Sequence, residues 1–231
     1  MTGVTLLGIT IRFLAHASFQ IKTEDQNIYI DPSTKGTGLK KDHFQPADLI
    51  LVTHGHDDHC DKDLLKKIRK LGSPIIAPEN LKKELKGMVV WDLSPGQFMK
   101  MATSDGTIWA TEAYNVTRFR SPGKPFHPRG FGVGYLVKIG GKKIYHAGDT
   151  DLIPEMDKLA DAEVDVALLP SGDTYTMDVN EAAEAALKIK PKIVIPMHLK
   201  GADPATFKEK VESQSDIKVV ILGEGEEYTL D

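Results

Sequence analysis

Six residues constrain this chain more than any others. Leu49-Ile-Leu-Val-Thr53 is a short apolar run of strand character, and it leads straight into His54-Gly55-His56-Asp57-Asp58-His59. Packing alone does not select three histidines and two aspartates at the end of a buried strand. Imidazole and carboxylate are the ligand types that borderline divalent metals prefer. In extended backbone, residues two apart point the same way, so His54 and His56 can share one ion. Asp58 and His59, where the chain turns into a helix, face elsewhere and suit a second ion. The bland alternative, a solvated histidine-rich turn, fits neither this density of ligands nor this placement.

The pattern around the cluster is that of a layered α/β chain. Alternation and β-branched residues predict strands at 9–14, 18–22 and 27–31, forming an antiparallel meander. A helix is expected from Asp61 to Leu71, with acids in its first turn and Lys66, Lys67, Arg69 and Lys70 near its end. A strand at 74–77, a lysine-rich helix at 79–86 and strands at 88–92, 97–102 and 107–113 follow. Strands at 132–139 and 142–147 flank Gly140-Gly141, and apolar strands at 164–169, 192–197 and 217–222 are separated by helices at 179–190 and 203–213. Antiparallel strands followed by β-α alternation, twice over, predict two sheets face to face with helices outside, a four-layer αββα sandwich. We read residues 1–231 as one domain of two similar halves, about 1–113 and 114–231. One long loop, about 115–131, interrupts the second half, and loops of that length usually carry function.

Composition narrows the partners. A chain of 231 residues with 41% hydrophobic content can bury a substantial core. Its 29 basic and 33 acidic residues give a formal charge of −4, so no extended basic face is expected and a long nucleic acid is not an expected partner. The single cysteine, Cys60, allows no internal disulfide and fits a reducing compartment, the cytoplasm. The opening Met1-Thr-Gly-Val-Thr-Leu-Leu-Gly8 has no secretory pattern, and no apolar run approaches the roughly 18–20 residues that span a bilayer, so no membrane is expected. Oligomeric state is not legible.

Two further residues sit at the ends of other apolar strands, where loops should converge on the first cluster: Asp149 in His146-Ala-Gly-Asp-Thr150, and His198 in Ile195-Pro-Met-His. With these in place the sequence resembles the metallo-β-lactamase-fold hydrolases, whose His-x-His-x-Asp-His signature is matched by His54, His56, Asp58 and His59. The resemblance runs over essentially the whole chain and implies the same αββα fold. It implies that Asp149 bridges two metals and that His198 binds the second. The opening Phe13-Leu-Ala-His16-Ala-Ser-Phe19, with Ile30-Asp31-Pro32, looks like the branch containing the ascorbate-phosphate lactonase and related hydrolases, which places His16 near the metals as a group that touches substrate or a ligand.

The sequence departs from the family at one position. Asn115 stands where a third histidine for the first metal is usual, and a neutral, hard amide oxygen is a poor zinc ligand. Either His127, from Pro125-Phe-His-Pro-Arg129, completes that site or the first site is weaker. Asp31 is expected to orient a ligand histidine through its other ring nitrogen. His146 faces either the core or the site.

The expected chemistry is hydrolysis. One or two divalent ions, zinc first, with manganese, iron or nickel also suited, acidify a water to a metal-bound hydroxide and polarise the bond under attack. Asp58 would hold and orient that hydroxide, with His16 beside it. No Gly-x-Ser-x-Gly elbow is present to supply a protein nucleophile. Arg118, Arg120, Lys124 and Arg129 in the long loop, with Lys35, Lys40 and Lys41 after Asp31, favour a small anionic substrate carrying an ester, lactone or phosphodiester. Tyr175 and Met177 are candidates to line its pocket. The alternative is a non-catalytic metal-binding or ligand-sensing protein on the same fold, which Asn115 would favour.

Overall fold

The computed structural model describes residues 8–101 and 105–230. The first sheet is built from β1 (Ile9–Ala15), β2 (Ser18–Lys22), β3 (Asn27–Ile30), β4 (Leu49–Leu51), β5 (Ile75–Ala77) and β6 (Val90–Asp92). Helix α1 (Lys62–Ile68) connects β4 to β5. The second sheet takes β7 (Phe98–Lys100), β8 (Thr107–Ala113), β11 (Gly132–Ile139), β12 (Lys142–His146), β13 (Val166–Pro170), β14 (Ile193–Met197) and β15 (Lys218–Val219). A small hairpin, β9 (Phe119–Ser121) and β10 (Lys124–Pro125), stands apart from both. Helix α2 (Val179–Ile189) precedes β14, α3 (Pro204–Glu212) precedes β15, and the last strand, β16 (Glu227–Leu230), returns to pair with β1.

Period-two patterning sorts the side chains into layers. Ile28 and Ile30 of β3, Leu49 and Leu51 of β4, Val133, Tyr135 and Val137 of β11, and Val166 and Leu168 of β13 point inward and form the core between the sheets. The alternate residues Tyr29 and Ile50 face outward onto Leu64, Leu65 and Ile68 of α1. Ala167, Leu169 and Val194 face the other way, onto the alanine-rich face of α2 and Phe207 and Val211 of α3. The order helix, sheet, sheet, helix is the expected αββα sandwich.

In each sheet the central strands are parallel: β3, β4, β5 and β6 in the first, β12, β13, β14 and β15 in the second. Their carboxyl ends lie on one side of the sandwich, where α/β sheets place their ligands. The residues after β3, β4, β12 and β14 are Asp31, Thr53-His54, Gly148-Asp149 and His198, and the β1–β2 turn adds His16.

Several boundaries differ from expectation. Residues 79–86 are not a helix but one 3-10 turn, Glu79–Leu81, followed by further turns. Leu81 and Leu85 are buried as anticipated, yet so short a segment does not repay helix nucleation. The strand expected at 217–222 is only β15, and the chain continues irregularly to β16, whose polar sequence hid it. Pro154–Ala162, to which the sequence pattern assigns no element, is a 3-10 helix that seats Met156 and Leu159 on the second sheet. The strand expected at 97–102 is shorter; its residue 102, like residues 1–7 of the stretch read for a leader, lies outside the described residues. Among the described residues no helix is long and apolar enough to cross a membrane.

Candidate metal centre

Eight side chains from five chain segments converge at that end of the sandwich. His54 Nε2 and His127 Nε2 lie 3.1 and 3.2 Å from His56 Nδ1, forming one cluster of ring nitrogens. His59 and His198 form a second cluster with Asp58 and His16. Asp149 stands between the two. Its Oδ2 is 3.2 Å from His198 Nε2, 3.3 Å from His127 Nε2 and 4.0 Å from His54 Nε2, while Oδ1 is 3.5 Å from His59 Nε2.

Neighbouring groups fix which ring nitrogen carries the proton. Asp31 is fully buried, and its Oδ1 accepts from the Thr53 backbone N–H at 2.7 Å. Its Oδ2 accepts from the Thr53 hydroxyl at 2.5 Å and from His59 Nδ1 at 2.8 Å. Having spent its proton on Asp31, the Thr53 hydroxyl accepts from His54 Nδ1 at 2.9 Å. His54 and His59 therefore both commit Nδ1 to these partners and turn Nε2 to the centre. Asn115 treats His127 the same way, its Oδ1 lying 2.9 Å from His127 Nδ1.

This donor set fits divalent cations. His59 Nε2 and Asp149 Oδ1 are buried without a hydrogen-bond partner, an expensive state that a cation between them would relieve. For tetrahedral zinc with nitrogen ligands at ~2.1 Å, ligands stand about 3.4 Å apart, and the separations here bracket that value.

The charges agree. Burial would push His59 down, but Asp149 and Asp31 outweigh it and raise the ring to about 9. Burial likewise opposes the charge on Asp149, yet His198, His59 and His54 hold its carboxyl well below the usual range. Burial lowers His54 strongly and brings His127 to about 4, the neighbouring histidines adding to the effect. Asp58 stays ionised despite its burial because His16 and His59 face it, and His16 Nε2 lies 3.3 Å from Asp58 Oδ2.

The β1–β2 turn that carries His16 is tied to the second cluster. His16 takes a left-handed backbone with φ +56°, its carbonyl accepts the His198 N–H at 2.8 Å, and the two rings lie 3.9 Å apart with their planes tilted by 44°. Gly172 makes room for the same loop: a Cβ there would stand 2.1 Å from the His198 carbonyl oxygen. His146 proves structural, its Nδ1 accepting from Gly148 N–H and its Nε2 donating to the Ala17 carbonyl at 2.9 Å. Burial and the Asp31 charge push the Cys60 thiol up to about 12, so it is no nucleophile.

Over the centre opens a cavity of about 420 Å³ walled by Phe126, Tyr175, Arg120 and Lys200. Phe126 and Tyr175 meet edge to face at 4.8 Å. Arg120 lies over the Phe126 ring and Lys200 over the Tyr175 ring. Of the basic residues expected to border the metals, Arg120 alone lines this cavity. Arg118 turns inward to Asp151, Asp173 and Glu181, and Arg129 is held by Glu112 and Glu155. Met177, expected at the rim, is buried in the outer core. Lys200, Thr53 and Asp151 were not anticipated; the only signal for them is their place one or two residues from a candidate ligand.

Comparison with known proteins gives one consistent result. The family model described as a beta-lactamase superfamily domain matches residues 10–198. The chain is 36% identical over 236 residues to a metal-dependent hydrolase of Pyrococcus furiosus, covering 96% of this chain and 100% of that one. It is similar to the crystal structure of a metal-dependent hydrolase from Parabacteroides distasonis, with TM-score 0.82, 35% identity and 92% of each chain covered. It is also similar to Igni18, a metallo hydrolase of Ignicoccus hospitalis, with TM-score 0.79, 29% identity and 96% and 98% of the two chains covered.

Proposed function

The chain belongs to the beta-lactamase superfamily and is a metal-dependent hydrolase, and on that footing we propose that it cleaves an ester, lactone or phosphodiester in a small anionic molecule at a two-ion centre. His54, His56 and His127 would hold the first ion. Asp58, His59 and His198 would hold the second, with Asp149 placed between the two sets. Zinc suits this set of imidazoles and carboxylates best. Bound there, a cation pair acidifies a water at neutral pH and polarises the oxygen of the scissile bond.

The protein's own groups do the rest. Asp58, ionised and half-open to the cavity, accepts the proton of the attacking water and fixes its direction. His16, beside it, holds the Asp58 carboxylate in place. Arg120 and Lys200 have no ion-pair partner among the described residues and flank the mouth, so they bind the anionic end of the substrate. The aromatic pair packs its flat or apolar part. The protein's one thiol, buried at Cys60, suits work in the cytoplasm.

The observation that carries this proposal is the convergence of histidine ring nitrogens and Asp149 beneath an open, cation-rimmed cavity. The test is elemental analysis for metal, paired with turnover of p-nitrophenyl esters, bis-p-nitrophenyl phosphate and simple anionic lactones. About two equivalents of metal and hydrolysis abolished by Asp58→Ala support it. A metal-loaded protein that turns over none of the panel points instead to a binding or sensing role.

A further inference from the structure

Resting on the two-ion centre with His127 as a ligand, we propose that Asn115 is a positioning residue, which fixes the proton and the aim of the His127 ring and is anchored by the buried carboxylate of Asp151. The neighbours of Asn115 dictate how its amide is turned. Nδ2 lies 2.9 Å from Asp151 Oδ1 and 2.9 Å from the Tyr175 carbonyl oxygen, and both of these only accept. Oδ1 must therefore face His127, where it accepts the backbone N–H at 2.8 Å and Nδ1 at 2.9 Å. An amide oxygen cannot donate, so the ring proton of His127 resides on Nδ1. Nε2 is left with its lone pair directed at the gap shared with His56 and Asp149.

Asp151 is itself immobilised. Its Oδ2 accepts the backbone N–H groups of Val116 and Thr117 at 2.7 Å each and the Thr117 hydroxyl at 3.0 Å, and Arg118 Nη1 reaches Oδ1 at 3.3 Å. The result is a continuous chain from Arg118 through Asp151 and Asn115 to His127. It supplies from the second sheet's loops what Asp31 supplies to His54 and His59 from the first. It also extends to the substrate cavity, because the residue whose carbonyl takes the second Asn115 hydrogen bond, Tyr175, places its ring in the wall. A ligand borne on a long loop has no strand to hold its direction, and Asn115 provides that constraint.

The test is zinc titration of metal-stripped protein against a competing chelator, run on wild type, Asn115→Ala, His127→Ala and the double variant. Asn115→Ala should weaken one of two sites roughly 10- to 100-fold and spare the other. His127→Ala should weaken the same site at least as far, and the double variant no further, because Asn115 acts only through the ring. Unchanged affinities in Asn115→Ala, or an additional loss in the double variant, would overturn the assignment. If His127→Ala leaves both sites intact, His127 is not a ligand and the role of Asn115 falls with it, while the two-ion centre stands on the other residues. A second measurement needs no variant: in wild type loaded with cadmium-113 and nitrogen-15 histidine, His127 should show its proton on Nδ1 and metal coupling on Nε2, and the reverse tautomer would overturn the proposal.

Discussion

The Asp31 carboxylate oxygen that accepts from His59 Nδ1 at 2.8 Å is the same atom that takes the Thr53 hydroxyl proton, so one buried oxygen sets the tautomers of His59 and, through Thr53, of His54. These two histidines sit in different clusters, and the aim of both therefore depends on Asp31. Asp31→Ala should lower metal affinity by roughly 10- to 100-fold. It should also cost about 3–5 kcal/mol of stability, since it leaves buried donors unpaired and places alanine at φ +49°. Asp31→Asn tolerates that backbone and retains one acceptor, so its stability loss should be smaller. Urea midpoints and metal content together check this; full metal retention in Asp31→Ala would contradict it.

Two arginines separated by one residue should behave oppositely. Arg118, with its side chain 12% exposed, serves Asp151, Asp173 and Glu181, and removing it leaves the buried Asp151 carboxylate without its cation. Arg118→Ala should cost about 2–4 kcal/mol of stability. Arg120 projects over the cavity, so Arg120→Ala should leave the unfolding midpoint within about 0.5 kcal/mol of wild type. It should raise KM for an anionic substrate roughly 10- to 100-fold, an effect that shrinks in high salt. A neutral ester measured alongside should show no such change.

The contrast also marks what the sequence makes legible. His54, His56, Asp58 and His59 are adjacent in the chain and follow an apolar strand, so local pattern was enough to find them and to expect ions there. Asp149 and His198 were found because strand ends in parallel sheets converge. The position of His127 beside His56 depends on how a 17-residue loop folds over Asn115, and no periodicity encodes that. Arg118 and Arg120 are indistinguishable as letters; only the β9–β10 hairpin decides which one turns inward. β16 was missed for a related reason. Its sequence is Glu227-Tyr-Thr-Leu230, and with one face toward solvent it reads as polar tail until β1 supplies its partner.

Metal binding should release a proton. With the metal-free His59 ring raised to about 9 by Asp149 and Asp31, that ring is protonated at pH 7.5, and its Nε2 must lose the proton before it can bind an ion. About one proton per chain should leave on zinc loading at pH 7.5, falling toward none above pH 9. Calorimetry in buffers of differing ionisation enthalpy reads this directly. The same shift governs the metal-free fold. Because the folded pKa is raised, the stability that His59 contributes is complete below its unfolded value of about 6.5 and is lost as pH rises through about 9. Metal-free protein should therefore lose stability across that window, and Asp31→Asn should narrow it by removing one of the charges that raise the ring.

The closest approach in the centre is one the ligands do not make. Any side chain at Gly172 would put its Cβ 2.1 Å from the His198 carbonyl oxygen, far inside van der Waals contact. That carbonyl belongs to a residue already held in left-handed backbone at φ +52°, with its N–H fixed to His16, so the loop cannot yield without turning the His198 ring. Gly172→Ala should accordingly displace His198 and weaken the second ion more than the first. Gly36→Ala is the control. Gly36 has φ +67° and open space around it, so alanine there should cost about 1 kcal/mol of backbone strain and leave both ions bound. Equal metal affinity in the two variants would mean that the loop after β14 is softer than its contacts imply, and that His198 is held by the ion rather than prepared for it.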